Sequence, residues 1–250
     1  MTKTKLCAIW GGEIWGVVRW VQTAIETREI DQEIIKFSGK KSPKVLFVPT
    51  ATKDFSWYCD AFMKYYTSLG CKVDILHLYN CFVDKEKIKN QIFKSDIIYV
   101  WWGNTFSMMK MWKRFGVDDM LKLAVKKWIL LAGLSAGSIC QFLWWVSDSR
   151  RESDRTKAMI LAKWLWILPF YHAPHFNIGE DRKKWLIHYL GKRWWKYIAL
   201  DNQAAFFVWW NKFKIVKSNS KAKAYLYYKQ RGKIVCRELN NNSWDNISSL

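Results

Sequence analysis

Gly133-Leu134-Ser135-Ala136-Gly137 spells G-x-S-x-G, a spacing that can present a serine hydroxyl for attack on a carbonyl carbon. The chemistry needs a sharp turn, because only a strained backbone lifts the Oγ clear of its neighbours. Ile129 to Leu131 reads as the end of a buried strand, and Ser138 to Leu143 can continue as a helix, so the motif sits in a strand–turn–helix context. The N–H groups after Ser135 then lie at a helix N-terminus, where developing negative charge is favoured.

A serine at its free pKa is a weak nucleophile and needs a base, usually a histidine oriented by a carboxylate. The chain has 4 histidines. His77 ends a strand and His188 sits within a helical stretch, Asp181 to Leu190, so both read as structural or exposed. His172 and His175 flank Pro174 in a segment after the elbow. His175 is preferred, since the adjacent proline restricts its backbone. For the carboxylate, Asp201 ends a strand, whereas Asp148 or Asp154 in a polar stretch would give the order Ser, Asp, His. Composition leaves that choice open.

These residues must be positioned by a scaffold. Lys5–Ile9, Lys44–Val48, Val73–Leu78, Asp96–Val100 and the elbow strand alternate with helical segments at Val17–Phe37, Phe55–Leu69, Asp84–Phe93, Phe106–Arg114 and Val117–Lys127. Alternation of this kind predicts βαβ units and an α/β three-layer sandwich around a mainly parallel sheet. Sites in such sheets form beyond the carboxyl ends of the strands, here after Ile9, Val48, Val100 and Ala132. Further on, Tyr197–Leu200, Ala205–Trp209 and hairpins over residues 213–239 turning at Gln230–Lys233 are expected. No linker or repeat interrupts the 250 residues, so one domain is expected.

The formal charge of +20 permits affinity for nucleic acid or another anionic partner, but the lysines are spread over most segments and read as a solvated surface. The 6 cysteines show no C-x-x-C pair and no metal-ligand spacing. They read as reduced and mostly buried, which points to the cytoplasm. No apolar run is long enough to span a membrane.

G-G-E-I near the N-terminus, G-N-T-F before a helix, G-L-S-A-G-S at the elbow, P-H-F and L-D-N together resemble peptidase family S51, which includes dipeptidase E and the cyanophycinases. The resemblance covers roughly Lys5 to Val208. It implies a class I glutamine amidotransferase-like (flavodoxin-like) sandwich and a serine exopeptidase acting on short peptides, with N-terminal aspartate as the expected specificity. It assigns Ser135 as nucleophile, His175 as base and Asp201 as orienting acid, with Asn202 at the acid position if the register slips by one. The backbone N–H groups of Gly103 and Ala136 form the implied oxyanion hole. Asn104, Thr105 and Arg182 are the implied substrate-binding residues. No metal or organic cofactor is implied. Cysteine chemistry on the same fold would need the thiol at the elbow, and Cys140 lies five residues on.

Tryptophan stands where the family pattern has glycine: Trp10, Trp15, Trp101 and Trp102, with Trp128 and the Trp164–Trp166 stretch also at glycine-like turns. Glycine supplies positive φ or close approach. Tryptophan at such sites is expected to strain the backbone by on the order of 1–3 kcal/mol each and to crowd the pocket.

Overall fold

The computed structural model describes residues 4–250 except 13, 15–16, 19–20, 23–24, 80–83, 148–159, 174–182, 185, 189, 191–194 and 241; at 17–18, 21–22, 144–147, 160–163 and 173 only the backbone is described. In chain order the first half comprises β1 (Lys5–Trp10), β2 (Val17–Val18), β3 (Val21–Gln22), α1 (Arg28–Ser38), β4 (Lys44–Val48), α2 (Ser56–Ser68), β5 (Lys72–Ile75), α3 (Lys85–Phe93), β6 (Ile97–Val100), α4 (Thr105–Phe115) and α5 (Val117–Lys126). The second half comprises β7 (Leu130–Leu134), α6 (Ala136–Ile139), β8 (Phe142–Ser147), β9 (Ile160–Lys163), β10 (Leu168–Ala173), β11 (Tyr197–Leu200), β12 (Ala204–Trp209), β13 (Lys212–Lys217), β14 (Ala224–Gln230), β15 (Lys233–Glu238) and β16 (Asp245–Asn246).

The larger sheet has the order β16-β13-β12-β1-β7-β6-β4-β5. Its β1, β7, β6, β4 and β5 run parallel, as the βαβ alternation predicts. β12, β13 and β16 are antiparallel additions beside β1. A smaller sheet, ordered β15-β14-β11-β10-β8-β9, is also part parallel and part antiparallel. The architecture is therefore α/β with mixed sheets, not one mainly parallel sheet. The physical reason lies in the connections. β12 and β13 are joined by two residues, which permits only antiparallel pairing, while parallel neighbours need a crossover of a dozen or more.

Two local expectations also change. The periodicity over residues 17–37 becomes β2 and β3 followed by a helix that starts only at Arg28, because the β-branched valines fall in the short strands. The helix after the elbow stops at Ile139, and the aromatic run from Phe142 becomes β8.

Strand alternation divides the core. Cys7, Ile9, Phe47 and Tyr99 face one layer with Ile30 and Ile34 of α1 and Phe62 of α2. Leu6, Ala8, Leu46 and Ile98 face the other, with Ile88 of α3, Trp112 of α4 and Leu121 of α5, and this layer continues into Leu168 and Ile198 of the smaller sheet. At the outer edge of the smaller sheet, β15 exposes Lys233 and Arg237, and at one edge of the larger sheet β5 exposes Lys72. Four of the cysteines, Cys7, Cys59, Cys71 and Cys140, are buried free thiols, and Cys236 is exposed. No helix among the described residues is long and apolar enough to cross a membrane.

One polar group lies deep in the first layer. Asp31 is fully buried and its carboxylate accepts hydrogen bonds from Thr27 Oγ1 (2.8 Å), Tyr65 (3.2 Å) and Tyr66 (2.7 Å). Burial pushes its pKa up to about 7, against the lowering effect of those three hydroxyl donors. A carboxyl whose pKa is higher in the folded state holds its proton there longer than in the unfolded chain. Stability from this site is therefore fully present below about pH 4 and is lost as pH rises towards 7. Denaturant titrations across that range should show wild type losing on the order of a few kcal/mol relative to Asp31→Asn, a difference that flattens above neutrality.

Candidate active site

Ser135 follows β7 directly and adopts φ +53°, ψ −105°, a conformation that few non-glycine residues take. From Ile129 to Leu143 every other residue is buried, and Ser135 alone is partly exposed. The turn is secured on both sides. Ser135 N–H donates to the Ile9 carbonyl at the end of β1 (3.1 Å), and its own carbonyl accepts from Ser138 and Ile139, each at 2.9 Å. Its hydroxyl has no hydrogen-bond partner among the described residues.

The two motif glycines are required by space. A Cβ on Gly133 would run into the backbone of Gly137, and one on Gly137 would run into the carbonyl of Val100 at the end of β6. The elbow, its one-turn helix α6 and the β6 terminus are thus pressed backbone to backbone. Gly103, at φ +134°, has the same character, because a Cβ there would meet the Ala51 carbonyl.

The loop that carries Gly103 is itself fixed. Asn104 N–H donates to the Ala51 carbonyl (2.9 Å), and Asn104 Oδ1 caps α4 by accepting from Ser107 N–H (2.8 Å). Residues 49–54 are held by Asp54, whose buried carboxylate accepts the N–H groups of Leu78 (2.5 Å) and Tyr79 (2.7 Å). Trp112 Nε1 donates to Thr50 Oγ1 (3.3 Å) beneath them. Burial raises the Asp54 pKa, opposed by those two backbone donors. Thr105 opens α4 and is buried. The N–H groups of Gly103 and Ala136 enter no hydrogen bond among the described residues.

Asp201 stands one residue past β11 and is buried, with Oδ2 accepting the Lys223 N–H (3.0 Å). Burial raises its pKa, against the Lys223 N–H and the charges of Lys223 and Lys217. The turn it begins reaches the elbow's side of the molecule. Gln203 N–H donates to the Trp10 carbonyl (2.8 Å), and a Cβ on Gly11 would collide with the carboxamide of Asn202. His175, Arg182, Asp148 and Asp154 lie outside the described residues.

His172 was the less favoured of the two proline-flanking histidines, and it has a defined place. It is fully buried, stacked on Phe142 (4.1 Å between centroids) and meeting Trp10 edge-on (4.9 Å). Nδ1 donates to the Ile198 carbonyl (2.8 Å), and Nε2 lies 3.2 Å from Ser138 Oγ, on α6. The ring therefore braces the elbow helix against the smaller sheet. The period-2 pattern Leu168, Phe170, His172 carried that signal, since it puts His172 on the face that looks into the core. Cys140 is buried, its thiol pushed up by burial and donating to the Gly137 carbonyl (3.1 Å), so it has no access to substrate. His77 and His188 are both exposed.

The tryptophans divide. Trp10, Trp101 and Trp102 do not take positive φ, which Gly11, Gly12 and Gly103 supply instead. Trp101 packs into the first layer against Phe47 (5.5 Å) and Phe62 (6.3 Å). Expected strain at 10, 101 and 102 is thereby corrected. At Trp128 (φ +68°) and Trp166 (φ +58°) it is present, and Trp15 lies outside the described residues.

Residues 21–216 match the family model for peptidase family S51. The chain belongs to that family. This S51 chain is 31% identical over 198 residues to the uncharacterized peptidase YgaJ of Bacillus subtilis (strain 168), spanning 78% of this chain and 83% of the relative. It is 28% identical over 178 residues to the uncharacterized peptidase Lmo0363 of Listeria monocytogenes, spanning 68% and 84%. Two solved structures share the fold. A protein of Listeria monocytogenes EGD-e described as a peptidase E has TM-score 0.60 at 21% identity, over 86% of this chain and 98% of that one. A peptidase from an acI-B1 Actinobacterium has TM-score 0.68 at 14% identity, over 98% and 97%. The S51 chain is a serine-type peptidase. Among the described residues no group of three or more His, Cys, Asp or Glu side chains is placed to hold a metal ion.

Gly137→Ala should lower stability by about 1–3 kcal/mol through overpacking against Val100, which corresponds to a fall in Tm of roughly 2–4 °C per kcal/mol in a chain of this size. Thermal unfolding of the variant beside wild type measures it.

Proposed function

We propose that the protein is a dipeptidase E-like exopeptidase that cleaves short peptides, preferring an N-terminal aspartate, through Ser135, His175 and Asp201. Ser135 Oγ attacks the scissile carbonyl while His175 takes its proton and later returns it to the leaving amine. Asp201 holds the imidazole, and the N–H groups of Gly103 and Ala136 receive the oxyanion. Asn104, Thr105 and Arg182 contribute to substrate binding, and the basic surface attracts an acidic substrate. The observation that carries this reading is the partly exposed Ser135 on a positive-φ turn, in a stretch otherwise wholly buried.

Register favours Asp201 as the acid. β10 and β11 are parallel, with Ala173 opposite Ala199, so the chain leaves β10 two residues before His175 beside the strand that delivers Asp201. The parallel core β1-β7-β6-β4-β5, with apolar layers on both faces, supports an amidotransferase-like arrangement.

Asp-Leu hydrolysis and labelling by a fluorophosphonate probe provide the test. Ser135→Ala should abolish labelling and lower kcat by about four orders of magnitude or more, with the circular dichroism unchanged. His175→Ala should do nearly as much. Folded wild-type protein that neither labels nor cleaves any dipeptide in a panel would overturn the assignment.

A further inference from the structure

Three tryptophans, Trp128, Trp166 and Trp210, stand at positive φ, the region that glycine enters most readily. The end of α5 shows it most directly. Trp128 N–H donates to the Val125 carbonyl (3.0 Å) and Ile129 N–H to the Ala124 carbonyl (3.1 Å), with Trp128 at φ +68°. That pair of bonds is the Schellman motif, whose left-handed residue is usually glycine. α2 ends in the same motif, with Gly70 N–H to Thr67 (2.9 Å), Cys71 N–H to Tyr66 (3.1 Å), and φ +86° at Gly70. The left-handed residues closing α1 and α4 are Gly39 and Gly116.

The hairpin between β12 and β13 repeats the pattern. Trp209 pairs with Lys212, so Trp210 and Asn211 are the two loop residues, and only the first has positive φ (+57°). That is the arrangement of a type II′ turn, in which the first position belongs to glycine. Trp166 is the third, at φ +58° in the irregular link before β10. All three residues lie at the surface, 39% exposed at Trp128, 56% at Trp166 and 49% at Trp210. A large aromatic ring normally goes to the interior and a bulky residue normally avoids positive φ, and these three break both rules together. Trp112 is the internal contrast: it is helical, fully buried and hydrogen-bonded to Thr50 Oγ1.

We propose that residues 128, 166 and 210 are glycine in the protein as its own cell makes it, because the codon read there as tryptophan is one that this cell decodes as glycine. UGA is the codon with that property: different genetic codes read it as stop, as tryptophan or as glycine. Tryptophan positions of the Trp112 kind then carry the ordinary codon UGG.

The gene and the native protein decide the matter together. UGA is expected at codons 128, 166 and 210 and UGG at 112, and peptide mass spectrometry of the protein purified from its source should find glycine at the three sites and tryptophan at 112. UGG at any of the three sites, or tryptophan in their native peptides, overturns the proposal. Recombinant protein supplies an independent readout. Trp128→Gly, Trp166→Gly and Trp210→Gly should each raise Tm by about 2–4 °C, whereas Trp112→Gly should lower it. A fall in Tm at all three sites would overturn their assignment as glycine positions.

Discussion

The contact on which the rest of the site depends is backbone against backbone, at Gly133, Gly137 and Val100. With no side chains between them, α6 sits directly on the ends of β6 and β7, and Ser135 between them takes a positive φ. Strain at that residue persists because its surroundings determine it from several directions: the Ile9 carbonyl on one side, the Ser138 and Ile139 amides on the other. The presentation of this serine hydroxyl is part of the fold itself.

Around that contact the structure uses two rigid braces. One runs from Asp54 through residues 49–54 to Ala51, Asn104 and Gly103, so that a buried carboxylate helps to set the position of the Gly103 loop. The other runs from the Ile198 carbonyl through His172 to Ser138 and ties α6 to the smaller sheet. Both are closed by groups that are buried and hydrogen-bonded, which is what makes them stiff.

Much of this was legible in the sequence. The elbow, the parallel strands of the first half and the hairpin at Arg231-Gly232 follow from local pattern, because alternation and turn chemistry act over a few residues. The smaller sheet was not legible, since β8, β10 and β11 pair across gaps in sequence that no local pattern encodes. His172 was passed over because its importance lies in a contact with Ser138, 34 residues away. The positive φ expected of glycine-like turns is present at Trp128 and Trp166 but not at Trp10, Trp101 and Trp102. There a glycine immediately downstream takes the positive φ, and the indole of Trp101 turns inward among Phe47, Phe62 and Tyr58.

The net positive outer strand β15 has a consequence for how copies of the molecule meet. An outer strand offers unpaired amides and carbonyls to any other chain, and would invite edge-to-edge stacking. On β15 the side chains flanking those groups include Lys233 and Arg237 against one acid, Glu238, whereas on β5 Lys72 is matched by Asp74. Two copies of β15 brought together would confront net positive charge with net positive charge, in a chain already carrying +20. The same basic excess that suggests an anionic partner thus works against edge-to-edge pairing at β15.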